Sequence, residues 1–381
     1  MSDKLNMFTP APPDDEAFTC PYSEEELTAR KWNKIAMDLA MTGSVNEAVE
    51  AFDSGLALEP ENPVLLRNKA TVLSRFRNFG DALLVYKQAM DAHPKNADFP
   101  NGAAYVMLEM GRAEEAVLFF DKSISLSPSY ENPCLGRGLA YAELGEFEKA
   151  VDSYEKAIEL RPEYKDAWFG KAVALGALGK FDESIAAFEQ TVQIGPDDAD
   201  VWYYKALAHD SAGDAKNALY AYDKAVSVRP DMDDAWNNKG ILCNALGRFE
   251  EALACFDKAV GIDDRQADVW FNKGYTHSVM NQLDEAVGSF KEAIEIDPLF
   301  EAAYMEIAFA YVQMGCAADA VEMYDKSVAL NPSAEAYFGR AVCLQGMDEP
   351  EKAKESFEKA FEMDPRYREL IEDRLKDKVK D

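Results

Sequence analysis

The chain has 381 residues and carries 70 acidic and 40 basic side chains, which gives a net charge of −30 at pH 7. This negative charge repels nucleic acid and anionic lipid, so the composition argues against both as partners and favours basic ones. Six dispersed cysteines without a C-x-x-C pair indicate free thiols in a reducing compartment. No stretch approaches the roughly 20 apolar residues that span a bilayer. The N-terminus lacks the apolar core of a signal peptide, so the sequence predicts a cytoplasmic protein without a membrane partner.

Residues 1–28 differ from the rest of the chain in composition. They contain Pro10, Pro12, Pro13 and Pro21 together with seven acidic residues and a single lysine. Such a segment buries too little apolar surface to offset the entropy of ordering. It is predicted to be an acidic, proline-containing tail that is disordered or loosely docked.

From residue 29 onward the sequence is periodic. Prolines recur every 34 residues, at Pro60, Pro94, Pro128, Pro162, Pro196 and Pro230. Asp264 takes the next place in the series, followed by Pro298, Pro332 and, after 33 residues, Pro365. Eight residues before each of these positions is an aromatic side chain: Phe52, Tyr86, Phe120, Tyr154, Phe188, Tyr222, Phe256, Phe290, Tyr324 and Phe357. A fixed period of this length is typical of repeat architectures.

Each repeat is predicted to form two amphipathic helices, because apolar residues recur at three- and four-residue steps on both sides of a central turn. Seven of the ten repeats carry glycine at this turn, where a left-handed backbone ends the first helix. The proline cannot continue the second helix and ends it. Acidic residues such as Asp166, Asp200 and Asp234 precede the first helix in this interpretation and are predicted to cap it.

Small residues recur in both helices of each repeat. In the first helices they are Ala36, Ala70, Ala104, Gly138, Ala172, Ala206, Gly240, Gly274, Ala308 and Ala341. In the second helices they are Ala48, Ala82, Ala116, Ala150, Ser184, Ala218, Ala252, Ala286, Ala320 and Ala353. These positions predict a close approach of the two backbones, with the aromatic rings filling the space beside them. Because a single helix pair cannot bury its apolar face, the repeats are expected to stack.

Trp32, Trp168, Trp202, Trp236 and Trp270 share one position of the first helix. Together with the period, this pattern resembles the tetratricopeptide repeat family and its W-x2-L-G-x2-Y…A-x3-F…P motif. Over residues 29–367 the resemblance implies an all-α, right-handed superhelical solenoid of about ten helix-turn-helix repeats. Residues 368–381 place Leu370, Ile371, Leu375 and Val379 on one face and are expected to form a C-terminal capping helix.

Seven repeats carry a basic residue where the family motif has leucine: Lys69, Arg137, Lys171, Lys205, Lys239, Lys273 and Arg340. These side chains could clamp a partner's carboxylate, or they could extend past the core and pair with acids on neighbouring helices. The second interpretation is favoured. Co-chaperone members of the family bind carboxyl termini through a Lys and an Asn, and the matching positions here, Arg67 with Thr71 or Asn237 with Ile241, do not reproduce that pair.

No set of residues indicates catalysis, and the sequence predicts neither an enzyme nor a cofactor. His209, Cys243 and His277 occupy the motif's tyrosine position in three consecutive repeats. A buried, hydrogen-bonded role is favoured for them. A zinc site is the alternative, although stacked repeats place the three residues in separate layers and a fourth ligand is missing.

The resemblance implies that the first helices line a concave face, on which residues one and five positions after the tryptophan position should point inward. The first set comprises Leu135, Phe169, Tyr203, Asn237, Phe271, Met305 and Phe338. The second set comprises Tyr105, Leu139, Val173, Leu207, Ile241, Tyr275 and Phe309. An apolar band on a surface normally marks a binding site. The predicted function is therefore a scaffold whose groove holds a partner protein or an apolar peptide with basic flanks, unless these residues pack between repeats instead.

The main alternative is a self-associating structural or assembly protein. Its end repeats or grooves could bind another copy of the chain and give a homo-oligomer. Phe8, Phe18 and Tyr22 in the N-terminal tail could also dock in a groove. An enzyme or a nucleic-acid-binding array fits less well, because the repeats occupy nearly all of the chain and the charge is unfavourable.

Overall fold

The computed structural model describes residues 28–369, and within these residues it contains helices and no β-strand. Twenty helices follow one another in consecutive pairs: α1 (Ala29–Met41), α2 (Val45–Leu58), α3 (Pro63–Arg75), α4 (Phe79–Ala92), α5 (Asp98–Glu109), α6 (Ala113–Leu126), α7 (Glu131–Glu143), α8 (Phe147–Leu160), α9 (Lys165–Ala177), α10 (Phe181–Ile194), α11 (Ala199–Ser211), α12 (Ala215–Val228), α13 (Asp233–Ala245), α14 (Phe249–Ile262), α15 (Ala267–Val279), α16 (Leu283–Ile296), α17 (Glu301–Gln313), α18 (Ala317–Leu330), α19 (Ala334–Gly346) and α20 (Pro350–Met363). The all-α class is confirmed.

The chain divides into two compact units, Met1–Pro196 and Asp197–Asp381, which we call the N-terminal and C-terminal units. Helices α1–α10 belong to the first unit and α11–α20 to the second. The odd-numbered helix of each pair is its first helix and the even-numbered one its second. Nearly all of the predicted tail and most of the predicted capping helix lie outside the described residues, and the right-handed sense of the superhelix stays a prediction.

The turn within each pair has one recurring geometry. Gly43 has a φ of 86°, and the six other glycines at the same position, from Gly111 to Gly315, also have positive φ. After α1, the Gly43 amide donates to the Ala40 carbonyl and the Ser44 amide to the Leu39 carbonyl, at 3.3 and 3.0 Å. These two bonds form a Schellman motif, which satisfies carbonyls that the helix end leaves open. The prediction that this position ends the first helix is confirmed.

The three repeats without glycine form the same turn with other residues. Arg77, Asn281 and Asp348 adopt φ values of 63°, 58° and 62°. At the first of them, the Asn78 amide donates to the Leu73 carbonyl at 2.8 Å, as in the glycine turns. A left-handed backbone costs an L-residue about 1–2 kcal/mol. The rest of the turn therefore imposes the conformation even where the residue does not favour it.

The two helices of a pair approach closely at the small residues, as predicted. The Ser184 hydroxyl of α10 donates to the Ala172 carbonyl of α9 at 2.7 Å, so the second helix touches the backbone of the first. At Gly138 in α7, an added Cβ would lie 2.5 Å from the Tyr154 ring. The ring is itself almost completely buried. Even a methyl group at position 138 would therefore force a shift in this close-packed layer.

The predicted caps of the first helices are wrong in detail. Asp166, Asp200 and Asp234 lie inside the first turn, because α9, α11 and α13 each begin two residues earlier than the caps require. In α11 the cap is Asp198, whose side chain accepts from the amides of Asp200 and Val201. A carboxylate in the first turn still interacts favourably with the positive end of the helix.

Within each unit, neighbouring repeats pack mainly through the second helix of one repeat and the first helix of the next, and first helices also contact one another. Helices α1, α3, α5, α7 and α9 contact one another in sequence, as do α13, α15 and α17. Side-chain amides also join first helices: Asn68 donates to Asn33 at 2.9 Å and Asn272 to Asn237 at 3.2 Å. We call the side of the first helices that faces away from the second helices the inner face of each unit.

Candidate functional site

The inner face can be described by position along the first helix, with position 0 at the tryptophan. In repeats without tryptophan, position 0 is held by Leu66, Pro100, Cys134, Tyr304 and Tyr337. Positions −2, +1, +2, +5, +8 and +9 lie within about a third of the circumference of an α-helix, at about 100° per residue. These six positions define the inner face, and the predicted site residues are its +1 and +5 positions.

The +1 side chains are more deeply buried than expected for residues that only line a binding surface. Leu135 and Met305 are buried, and the others of this set are partly buried. The rings of this set pack against the aromatic residue of the following helix, with centroid separations of 5.9 Å for Phe169–Phe188, 5.4 Å for Phe271–Phe290 and 5.7 Å for Phe338–Phe357. Tyr203 contacts Tyr222 in the same way at 6.3 Å. The +1 side chains thus contribute to the packing within each pair and offer only part of their surface to a ligand.

The +5 side chains reach further into solvent. In the N-terminal unit, Tyr105 and Val173 are partly buried and Leu139 is exposed. In the C-terminal unit, Leu207 is partly buried, and Ile241, Tyr275 and Phe309 are 43%, 47% and 39% exposed. We call Leu207, Ile241, Tyr275, Phe309 and Val342 the apolar stripe of the C-terminal unit.

Val342, which is 46% exposed, belongs to the stripe although the sequence interpretation omitted it. It lies five residues after Tyr337, the residue at position 0 of the last first helix. The preceding repeat is one residue shorter than the others. The signal that identifies Val342 is therefore the register counted from position 0, after this deletion is taken into account.

Carboxylates share the inner face with the apolar stripe. Asp210, Asp234, Asp268, Glu306 and Glu335 occupy inner-face positions of the C-terminal unit. None of the five forms an ion pair with any residue in the described part of the chain. Asp200 differs from them, because it pairs with Arg229. The sequence contained a signal for several of these acids, their recurrence at position −2, but it was interpreted as helix capping.

Burial changes the acidity of several groups on this face. It raises the pKa of Asp210, and it raises the pKa of Asp234 together with the nearby charge of Asp233. The pKa of Glu306 is raised by burial first and then by the charge of Glu335. These carboxylates have lost part of their hydration without gaining a cation, which disfavours their charged form.

Amide and phenol groups lie beside the acids. Asn238 donates to the Tyr203 hydroxyl at 3.0 Å, and the Asn272–Asn237 bond continues the series between later repeats. Burial, followed by the charge of Asp234, raises the pKa of Tyr203 to about 12, so its hydroxyl stays protonated at neutral pH. Each side-chain amide has two donor hydrogens and an acceptor oxygen, more than these bonds use. The remaining capacity suits the backbone of a bound polypeptide.

The basic residues at position +3 of the first helices, which we call the basic ladder, help to stack the repeats. Lys69 pairs with Asp53 at 2.5 Å, Arg137 with Asp121 at 2.8 Å and Lys273 with Asp257 at 2.7 Å. Each pair joins a first helix to the second helix of the preceding repeat. Lys171, Lys239 and Arg340 form equivalent pairs with Glu155, Asp223 and Asp325. The interpretation in which these cations pair with neighbouring acids is confirmed for these six.

The ladder also involves the tryptophans. The ammonium group of Lys239 lies 5.4 Å from the centre of the Trp236 ring, and that of Lys273 lies 5.1 Å from Trp270. The Trp236 indole N–H donates to the Pro230 carbonyl at 3.0 Å. The basic position, +3, is about 160° away from +5 around the helix. These cations are therefore directed away from the apolar stripe.

The residues considered for zinc have other partners. His277 Nδ1 lies 2.7 Å from the Gln282 side-chain oxygen, and the buried His209 lies 3.2 Å from the Asp214 carboxylate. Cys243 is buried beside Cys255, and a hydrogen bond between the thiols lowers the pKa of Cys243. Among residues 28–369, no group of three or more His, Cys, Asp or Glu side chains is placed to hold a metal ion.

The stacked helix pairs and the face along their first helices define the chain as an α-helical repeat protein. Models of the tetratricopeptide repeat match residues 67–131, 135–199, 174–235, 233–265, 267–300 and 334–367. These matches cover more than half of the chain, which belongs to the tetratricopeptide repeat family. No curated protein sequence matches it.

Solved structures with similar folds are repeat proteins as well. The C-terminal part of a tetratricopeptide repeat-containing protein from Cytophaga hutchinsonii has a TM-score of 0.55 and 14% identity, covering 63% of this chain and 99% of its own. A tetratricopeptide repeat protein from Parabacteroides merdae has a TM-score of 0.48 and 22% identity, covering 65% and 98%. YrrB, described as having an unusual peptide-binding site, has a TM-score of 0.43 and 24% identity, covering 48% and 95%. At these identities the similarity shows the fold alone.

In the part of the chain that the structure describes, no helix has both the length and the apolar character needed to cross a membrane.

Proposed function

We propose that this protein is an interaction scaffold that binds a partner protein or peptide along the inner face of its first helices. The observation that carries the proposal is the apolar stripe, in which Ile241, Tyr275, Phe309 and Val342 remain two-fifths to one-half exposed on successive repeats. Exposed apolar patches that continue across a surface normally mark a binding site. Solenoid proteins commonly use such extended surfaces for binding. A non-enzymatic role in the cytoplasm fits this scaffold and stays part of the proposal.

The two sets of predicted site residues contribute differently to the proposed surface. The exposed +5 side chains make the main contact, because they lose the most apolar area to a ligand. The +1 rings, such as Phe271 and Phe338, lie beneath this surface and pack against the second helix of the same pair. A substitution at +1 would therefore disturb the packing of the repeat as well as the surface, so the test uses only +5 positions.

The experiment captures partners from a lysate of the source cells with the full chain and with a double variant, Ile241→Asp with Tyr275→Asp. The control double variant is Tyr220→Asp with Leu299→Asp, which changes exposed apolar residues of the same unit away from the inner face. Circular dichroism checks that all three proteins have the same helical content. We expect the wild type and the control to retain a set of proteins that the inner-face variant loses. Equal retention by the inner-face variant would overturn the proposal.

A further inference from the structure

The inner faces of the two units differ in charge. At the six inner-face positions, the five first helices of the C-terminal unit carry six carboxylates and no lysine, arginine or histidine: Asp200, Asp210, Asp234, Asp268, Glu306 and Glu335. The same positions of the N-terminal unit carry four acids and four bases: Asp98, Glu109, Glu143, Asp166, Arg30, Lys34, Arg67 and Arg75. The negative field is thus confined to the inner face that also carries the apolar stripe.

Arg229, in the turn before α13, pairs with Asp200, and within residues 28–369 no ion pair offsets the charge of the other five carboxylates. Arg248, which follows the turn after α13, is held by Glu251 with an Nε–Oε1 distance of 2.7 Å. Lys239 and Lys273 are directed to the other side of their helices and are paired with acids there. A cationic ligand would therefore meet the inner-face carboxylates other than Asp200 without displacing a cation of the protein.

A nearby cation would also stabilise the ionised form of these carboxylates. Asp210, Asp234 and Glu306 are partly desolvated, and each lacks an ion pair within the described residues. A nearby positive charge stabilises the ionised form of a carboxylate and offsets the loss of hydration. The gain is larger than at a fully exposed carboxylate, because partial burial lowers the effective dielectric constant.

The spacing of the repeats limits the form of the ligand. Helices in contact lie about 8–10 Å apart, so equivalent side chains recur at roughly this interval along the inner face. A polyproline II segment advances about 3.1 Å per residue, or about 9 Å in the three residues of one turn, and keeps every third side chain on one side. It also leaves its backbone groups free for amides such as Asn237, Asn238 and Asn272, whereas an α-helix satisfies its own.

We infer that the inner face of the C-terminal unit binds an extended, cationic segment of a partner protein in which an apolar residue and a lysine or arginine each recur every third residue. This inference rests on the proposed function and adds the chemistry of the partner and the unit that binds it. The apolar side chains would pack on the stripe, and the cations would face the carboxylates at its borders.

The test measures fluorescence anisotropy with the full chain and three labelled peptides, each made of five triplets. Leu-Pro-Lys triplets carry both features, Leu-Pro-Glu triplets reverse the charge, and Ser-Pro-Lys triplets remove the apolar residue. The proline prevents an α-helical form. We expect the first peptide to bind, the second not to bind, and the third to bind more weakly. Affinity for the first should fall as salt is raised.

Paired variants locate the binding site. Asp234→Asn with Glu306→Gln removes two inner-face charges, and Asp319→Asn with Glu292→Gln removes two charges from second helices of the same unit. We expect the inner-face pair to weaken binding of the Leu-Pro-Lys peptide about tenfold more than the control pair, or about 1.4 kcal/mol. Equal effects of the two pairs, or equal binding of the Leu-Pro-Glu peptide, would overturn the inference.

Two further outcomes separate this inference from the proposed function. If the Leu-Pro-Lys peptide does not bind but Ile241→Asp with Tyr275→Asp still loses its captured partners, the scaffold function stands and the cationic ligand is wrong. Sedimentation of the chain alone tests a second copy as the occupant. A dimer that dissociates in the Asp234→Asn, Glu306→Gln variant would assign the face to self-association and overturn the inference.

Discussion

The turn inside each helix pair makes a prediction in which two similar substitutions act in opposite directions. Gly247 has a φ of 72°, and a Cβ added there would have no heavy atom within 4 Å. Gly247→Ala therefore changes the backbone energy alone and creates no steric clash. Gly288 in α16 also has open space around its Cβ position, but its backbone is helical. Comparing Gly247→Ala with Gly288→Ala therefore measures the conformational cost of the left-handed backbone without a contribution from packing.

The expected magnitudes follow from backbone energetics. A left-handed conformation costs alanine about 1–2 kcal/mol, and alanine reduces the entropy of the unfolded chain by about 0.4–1 kcal/mol, so Gly247→Ala should destabilise by about 1 kcal/mol. In a helix interior, alanine is favoured over glycine by about 0.8–1.0 kcal/mol, so Gly288→Ala should stabilise by about that amount.

The assay is urea unfolding followed by circular dichroism, combined with hydrogen exchange of the amides around each site. Local exchange is needed because a repeat array need not unfold in a single two-state transition. A Gly247→Ala variant as stable as the wild type, or a shift in the same direction for both variants, would refute the account of the turn.

Three other substitutions test the packing and the charges. Gly138→Leu should destabilise by about 1–3 kcal/mol or more in urea unfolding, because even its Cβ would overlap the Tyr154 ring; a neutral result would contradict the close approach. Lys239→Ala should cost less than about 1 kcal/mol, since its ion pair with Asp223 is only partly shielded from water. Glu306→Gln should raise the melting temperature at neutral pH and not in acid, because a raised pKa means that the charged form costs stability, a cost lost as pH falls through that pKa. An equal gain at both pH values would contradict this origin.

Most of the fold could be predicted from the period of the sequence. The recurring glycine, aromatic and small residues each have a distinct steric role, and their spacing alone places the turn and the helix contact. The same left-handed turn at Arg77, Asn281 and Asp348 shows that the repeat context is sufficient even without glycine. The caps were less predictable, because whether Asp198 or Asp200 caps α11 depends on a two-residue shift of the helix start.

The sequence predicted the face of the first helices on which the candidate site lies, but not how deeply each of its side chains is buried. Helix periodicity places both the +1 and the +5 positions on the inner face, and it cannot show which of them contacts the second helix. The burial of Met305 and the contact of Phe271 with Phe290 depend on the distance and angle between two helices. The carboxylates were visible as residues, but their lack of cations appears only when the partners of Lys239 and Lys273 are known.

The central claim is that the inner face of the C-terminal unit contacts a partner protein, and site-specific crosslinking tests it most directly. A photo-reactive benzoylphenylalanine replaces Tyr275 on the stripe or Tyr220 on a second helix, two tyrosines that are both about half exposed. After irradiation in cells, adducts are separated by size and identified by mass spectrometry. The account predicts a discrete adduct from position 275 and none from position 220. An adduct from position 220 alone would contradict it.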